Sequence, residues 1–184
     1  MADQLAACMA EGFEEPFWAD LPDGSTREYV GGLAADPDWD DGVDGLTAKY
    51  QIQFFCSDPR SYGERRSFTQ AAPGLLEVFN RGTFEARPVV SMTATAAMAG
   101  YQFKLFDGAR QLGNLRMNGI ASGQTVAVDM ASGRTTLNGV PTGGLIHSGD
   151  RWGVPPGRVL QVMLERNGEI GAGRLAVVTR DTFI

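Results

Sequence analysis

The pattern of apolar residues predicts a mainly β protein: an antiparallel β-sandwich preceded by a short helix, an irregular acidic arm and a small β portion. Three observations lead there. From Lys49 onward the apolar residues alternate with polar ones at a period of two, as half-buried strands require. Candidate strands recur roughly every ten to twenty residues, separated by Gly, Pro, Asn and Ser, the spacing of sandwiches and barrels. No amphipathic helical pattern follows residue 45.

Taken in order, ADQLAACMAE (2–11) is rich in helix formers, with Leu5, Cys8 and Met9 on one face and Gly12 as a C-cap, and predicts a short helix. Residues 13–45 read as an irregular arm, broken by Pro16, Pro22 and Pro37 and loosened by several glycines. Phe13, Phe17, Trp18, Tyr29 and Trp39 punctuate it, more aromatics than a disordered tail carries. The arm is therefore expected to dock on its own body or on a neighbouring subunit, and Phe17, Trp18, Tyr29 and Trp39 are the candidate interface residues. KYQIQFFC (49–56) predicts a strand closed by the Asp-Pro turn of SDPRSYG. Residues 75–79 and 83–95 are extended candidates, the second placed at an edge or bulge by Pro88. YQFKLFDG (101–108) alternates most cleanly, burying Tyr101, Phe103 and Leu105. QTVAVDM, a turn at 131–133 and RTTLNGV predict a hairpin that points Val126, Val128 and Leu137 at a core. VLQVMLER, a loop at 167–169 and RLAVVTR complete the set. The division is expected near 85/86, leaving 1–85 as arm and small β portion and 86–184 as a sandwich large enough for its own core.

Composition narrows the function. At 43% apolar and 21% charged over 184 residues the chain is globular, and no apolar run approaches the ~20 residues of a membrane-spanning helix. Residues 1–16 hold four acids and no Lys or Arg, unlike a secretory leader, and Cys8 and Cys56 point to a chain folding in a reducing cytoplasm. Charge is uneven: residues 1–45 carry twelve acids against Arg27, a net −11, and the remainder carries +5. Such a field can steer one copy's acidic arm onto another's basic body. Scattered arginines in an acidic chain argue against nucleic acid.

A search for chemistry returns little. Asp36, Asp38, Asp40 and Asp41 imitate a calcium loop, but Asp41 stands where glycine is needed and Thr47 where the bidentate Glu is needed. His147 is read as a surface-loop histidine beside Ser148 and Asp150, without a nucleophile elbow. One histidine and two distant cysteines cannot make a zinc site, and the glycine-rich loops lack the P-loop lysine. Asp107, Asp129, Asp150 and Glu165 offer carboxylate pairs that nothing singles out. No enzyme, cofactor or metal is expected.

From Tyr101 the chain resembles a known family. YQFKLFDG, LGNLRMNGIASGQTVAVDMASGRTTLNGV and HSGDRWGVPPGRVLQVMLERNGEIGAGRLAVVTRDTFI are similar to the C-terminal half of the distal tail proteins of long-tailed (siphovirus-type) bacteriophages. The resemblance rests on the order of Asp129, the stretch Arg134 to Gly139, then Trp152, Pro156 and Gly157. Upstream, Asp58, Pro59, Tyr62 and Gly63 resemble the turn that precedes the family's C-terminal domain. The resemblance implies a galectin-like sandwich and a structural virion protein, expected as a hexamer, whose ring joins the tail tube to the baseplate or tail tip. It implies partners in further copies, the tail tube protein and the tail hub or tip proteins, with no nucleic acid or membrane. Assembly would occur in the host cytoplasm, and the final location would be the virion tail. The family's early hairpins are expected to be replaced here by the helix and the acidic arm. The alternative is a carbohydrate- or host-surface-binding sandwich, which needs an exposed aromatic. Trp152, beside Pro155-Pro156, is expected to be buried.

Overall fold

The computed structural model describes residues 14–35, 38–41, 48–71, 74–166, 169–170 and 172–184, with 38–41, 48, 50, 71, 169 and 170 described as backbone only. The expected helix at 2–11, Phe13 and the 167–168 turn lie outside the described residues. The chain forms two compact units, Met1–Gly63 with Ile184, and Glu64–Phe183.

In the first unit β1 (Glu15–Asp20) and β2 (Thr26–Leu33) form an antiparallel hairpin. β3 (Asp38–Asp41) pairs with β4 (Ala48–Gln51), and β5 (Phe54–Phe55) pairs with the end of β2. β6 (Ser61–Ala71) starts here, with Tyr62 opposite Glu28. The irregular arm expected over 13–45 is thus corrected to strands over 15–20 and 26–33, and an early hairpin is present rather than replaced. Pro16 disguises β1, but a proline is tolerated in a strand paired on one side only. The β1–β2 turn closes through Leu21 N–H to Ser25 O at 2.8 Å and the positive φ of Gly24. The strand expected over 49–56 is interrupted at 52–53.

The second unit is an antiparallel sandwich. One layer runs β6, β17 (Gly173–Phe183), β8 (Val89–Ala94), β11 (Thr125–Asp129), β12 (Thr135–Leu137), β13 (Val140–Pro141). The other runs β14 (Ile146–Gly149), β10 (Arg110–Ile120), β9 (Met98–Asp107), β15 (Val159–Arg166), β16 (Glu169–Ile170), with β7 (Leu75–Phe79) also on β15. Alternation along each strand sends one row inward: Val90 and Met92, Val126 and Val128, Leu175 and Val177 from the first layer meet Phe103, Leu115 and Val162 from the second. Each side chain so buried contributes about 1.5–3 kcal/mol.

The expected hairpin of Val126, Val128 and Leu137 is present, with Val126 opposite Leu137. Asp129 holds its turn, accepting from Ala131 N–H at 2.8 Å and the Ser132 hydroxyl at 2.6 Å. Asn138-Gly139, at φ 51° and 81°, then makes the two-residue reversal into β13. The compact units divide at 63/64, upstream of the expected 85/86, because β6 lies beside β17 and β7 places Leu76 and Val78 in the core. Pro88 precedes β8, which is an inner strand between β17 and β11.

A buried polar knot closes this unit. Asn80, 1% exposed, donates through Nδ2 to Phe84 O at 2.6 Å and Val154 O at 3.1 Å. Its Oδ1 accepts from Gly82 N–H at 2.9 Å and Thr182 N–H at 3.2 Å. Buried Asp181 accepts from Arg81 N–H at 2.8 Å and from Arg66 Nε at 3.2 Å. Gly82 is obligatory, since a Cβ there would lie 1.8 Å from Thr182 O. Asn80→Ala removes the side-chain partner of the Gly82 and Thr182 N–H groups and of the Phe84 C=O, while Val154 O keeps its bond from the Ala86 N–H. The cost is about 1–3 kcal/mol for each group that water cannot reach. Urea denaturation should show a loss of roughly 2–4 kcal/mol, and a loss below about 0.5 kcal/mol would rule the knot out as a stabilising element.

Candidate interaction surface

Three of the four expected interface aromatics, Phe17, Trp18 and Tyr29, fall on the two faces of the β1–β2 hairpin. Phe17 and Tyr29 are direct cross-strand partners and stack at 5.5 Å between ring centroids. Phe54 stacks on Phe17 from β5 at 4.5 Å, so Phe17 and Tyr29 are engaged within their own unit. Gly31 permits this approach: a Cβ there would stand 2.6 Å from Phe55 O and 2.9 Å from Cys56 Sγ.

The other face is different. Trp18 is opposite Glu28 and Phe55 is opposite Gly32, and positions 28 and 32 of one strand share a face. Trp18 is 64% exposed and Phe55 62%, with Val30 half-buried beside its partner Pro16. An exposed tryptophan and phenylalanine on one small sheet face make it a candidate interaction surface. Trp39 lies in β3 opposite Tyr50, and its side chain is outside the described residues. Phe54 and Phe55 are not among the residues expected at an interface; both belong to the KYQIQFFC run, read there only as a strand.

The Asp58 turn supports this unit. The Asp58 carboxylate accepts from Arg60 Nε at 2.7 Å and Nη2 at 2.8 Å, from Arg60 N–H at 3.0 Å and from the Tyr62 hydroxyl at 2.8 Å. The Arg60 side chain is the main cause that holds the Asp58 carboxyl below its ordinary value, against a smaller opposing cost of burial. Glu14 ties the preceding residue, accepting from the Ser57 hydroxyl at 2.6 Å.

The residues weighed for catalysis are dispersed or occupied. Asp107 is paired with Arg158 at 2.8 Å, Asp129 serves its turn, and Glu165 is paired with Lys104 at 2.6 Å. His147, expected in a loop, lies in β14 and is exposed, as are Ser148 and Asp150. Trp152 is buried at 5% exposure, as expected, and offers no platform for a sugar ring. Among the described residues, no three His, Cys, Asp or Glu side chains stand close enough to hold a metal ion.

No protein-family model and no curated protein matches the sequence. Among solved structures, the chain is similar to the Dit protein of phage SPP1, whose crystal structure is described as a paradigm of the hub adsorption apparatus in phages infecting Gram-positive bacteria. The two superpose with a TM-score of 0.76 at 20% sequence identity, over 99% of this chain and 70% of the other. The chain therefore has that protein's fold.

Because the folded state lowers the Asp58 pKa, the carboxylate stabilises the fold above the unfolded value near 3.9. That contribution is lost as pH falls through the lower folded value. Asp58→Asn should be less stable than wild type at pH 7 and should lose less stability on acidification to pH 2. Parallel acid profiles for the two proteins would contradict this role.

Proposed function

We propose that the chain is a structural protein of a phage tail, a distal tail protein that assembles as a hexameric ring joining the tail tube to the baseplate or tail tip. One observation supports this above others: the likeness in fold, over 99% of this chain and 70% of the other, to a hub protein of a phage adsorption apparatus. The exposed Trp18–Phe55 face gives the chain a surface suited to a protein partner. A closed ring needs such a patch to meet a different patch on the next copy, so that rotation returns the last copy to the first.

In this reading the partners are further copies, the tail tube protein and the hub or tip proteins. The protein resides in the virion tail after assembly in the host cytoplasm, and it performs no catalysis and needs no cofactor. The carbohydrate-binding alternative loses support where a stacking platform was required, because Trp152 is packed in the core.

Native mass spectrometry of the full chain at low and moderate salt tests the proposal. A hexamer, or hexamer with dodecamer, is expected, with Trp18→Glu shifting the population toward monomer while circular dichroism stays unchanged. Wild-type monomer at every salt concentration would contradict self-assembly into a ring.

A further inference from the structure

The outer face of the β14-β10-β9-β15 layer carries a second feature, independent of any ring. Gly100 and Gln102 of β9, Arg116 of β10, His147 of β14 and Glu165 of β15 line a cleft of about 230 Å³. The chain's one histidine arrives there through a defined irregularity. Arg116 is opposite Ser148 and Met117 is opposite Ile146, so His147 is an extra residue bulged from an edge strand. Such bulges redirect a side chain, here onto the face that Arg116 occupies.

The charges in the cleft are unequal in their engagement. Glu165 is held on both oxygens, by Lys104 Nζ at 2.6 Å and by Gln102 Nε2. Lys104 and Glu165 are mostly buried and neutralise each other. Arg116 is exposed and has no acidic partner among the described residues. One positive charge is therefore left over, on the side chain best shaped to grip an oxyanion with two parallel donors. His147 stands in the same cleft as a further donor. The fixed Glu165 carboxylate still has lone pairs free, and these suit hydroxyl donors.

We infer that this cleft binds a small hydroxylated oxyanion, its phosphate or carboxylate held by Arg116 and His147 and its hydroxyls received by Glu165. The volume lies below the roughly 300–1,000 Å³ of drug-sized ligand sites, so the ligand is one ring or a short polyol and binding is weak. Phosphate and carboxylate offer the same recognition chemistry, and the experiment separates them.

His147 being the sole histidine, its imidazole carbon-bound protons give isolated NMR signals in the full chain. They are followed during titration with inorganic phosphate, glycerol, glycerol 3-phosphate and glucuronate. Saturable shifts are expected with glycerol 3-phosphate or glucuronate, at least threefold tighter than with phosphate, and none with glycerol. The better of the two identifies which oxyanion the site prefers. Arg116→Ala, at an exposed position, should weaken binding at least tenfold, and Glu165→Gln should remove the advantage over inorganic phosphate. The inference is overturned if no probe shifts the signals up to 50 mM, a ceiling on the order of the weakest useful affinity. Glycerol binding as well as its phosphate, or Arg116→Ala binding unchanged, would overturn it equally.

Discussion

The side-chain amide of Asn80 is buried and both its donors and its acceptor are in use, and around it the sandwich is closed. Its four hydrogen bonds join the turn after β7, the backbone at Val154 and the end of β17, segments far apart in sequence. Buried polar networks are favourable only when every member is satisfied. Thr182 O accepts from both Thr83 and Phe84 N–H at 2.9 Å, and Asp181 beside it accepts from the Arg81 N–H. Arg66, whose Nε donates to Asp181, lies over the Phe79 ring at 5.6 Å, and Phe79 meets Phe68 edge-on at 5.0 Å. The last strand of the chain is thereby fastened to its first sandwich strands, and the apolar rows of both layers are held in register.

A sandwich closed in this way leaves function to its surfaces, because a fold of this kind supports many unrelated roles. Two surfaces stand out, and they differ in chemistry. The Trp18–Phe55 face in the first unit exposes two aromatic side chains on a face that also carries Glu28, and is suited to a protein. The His147 cleft in the second unit is polar, with one charge unanswered, and suited to a small anion. The proposed tail role uses the first, and the second is independent of that role.

Much of the sandwich was legible in the sequence. YQFKLFDG, QTVAVDM and VLQVMLER became β9, β11 and β15 because each buries one face and solvates the other, so a period of two is written into the residues. The less legible strands are those that break this rule. β6, SYGERRSFTQA, is polar on both sides of its alternation and owes its pairing to position beside β17. β1 and β2 contain Pro16 and Gly31-Gly32, which read as breakers. An edge tolerates that proline, and the close packing of Phe55 and Cys56 requires a glycine at 31. Aromatic content in the acidic segment pointed to an ordered segment, and β1 and β2 are strands. It could not separate Phe17 and Tyr29, which stack on each other, from Trp18, which faces outward, because that distinction is one of strand register. His147 was legible as a residue and not as a cleft residue, since its placement depends on a one-residue bulge with no local signature.

The proposed function requires that copies of this chain close into a ring. Cryo-electron microscopy of the purified full chain would show it. Class averages of an annular particle with six-fold rotational symmetry and an open axis are expected. Isolated single chains, or open filaments without rotational closure, would contradict it.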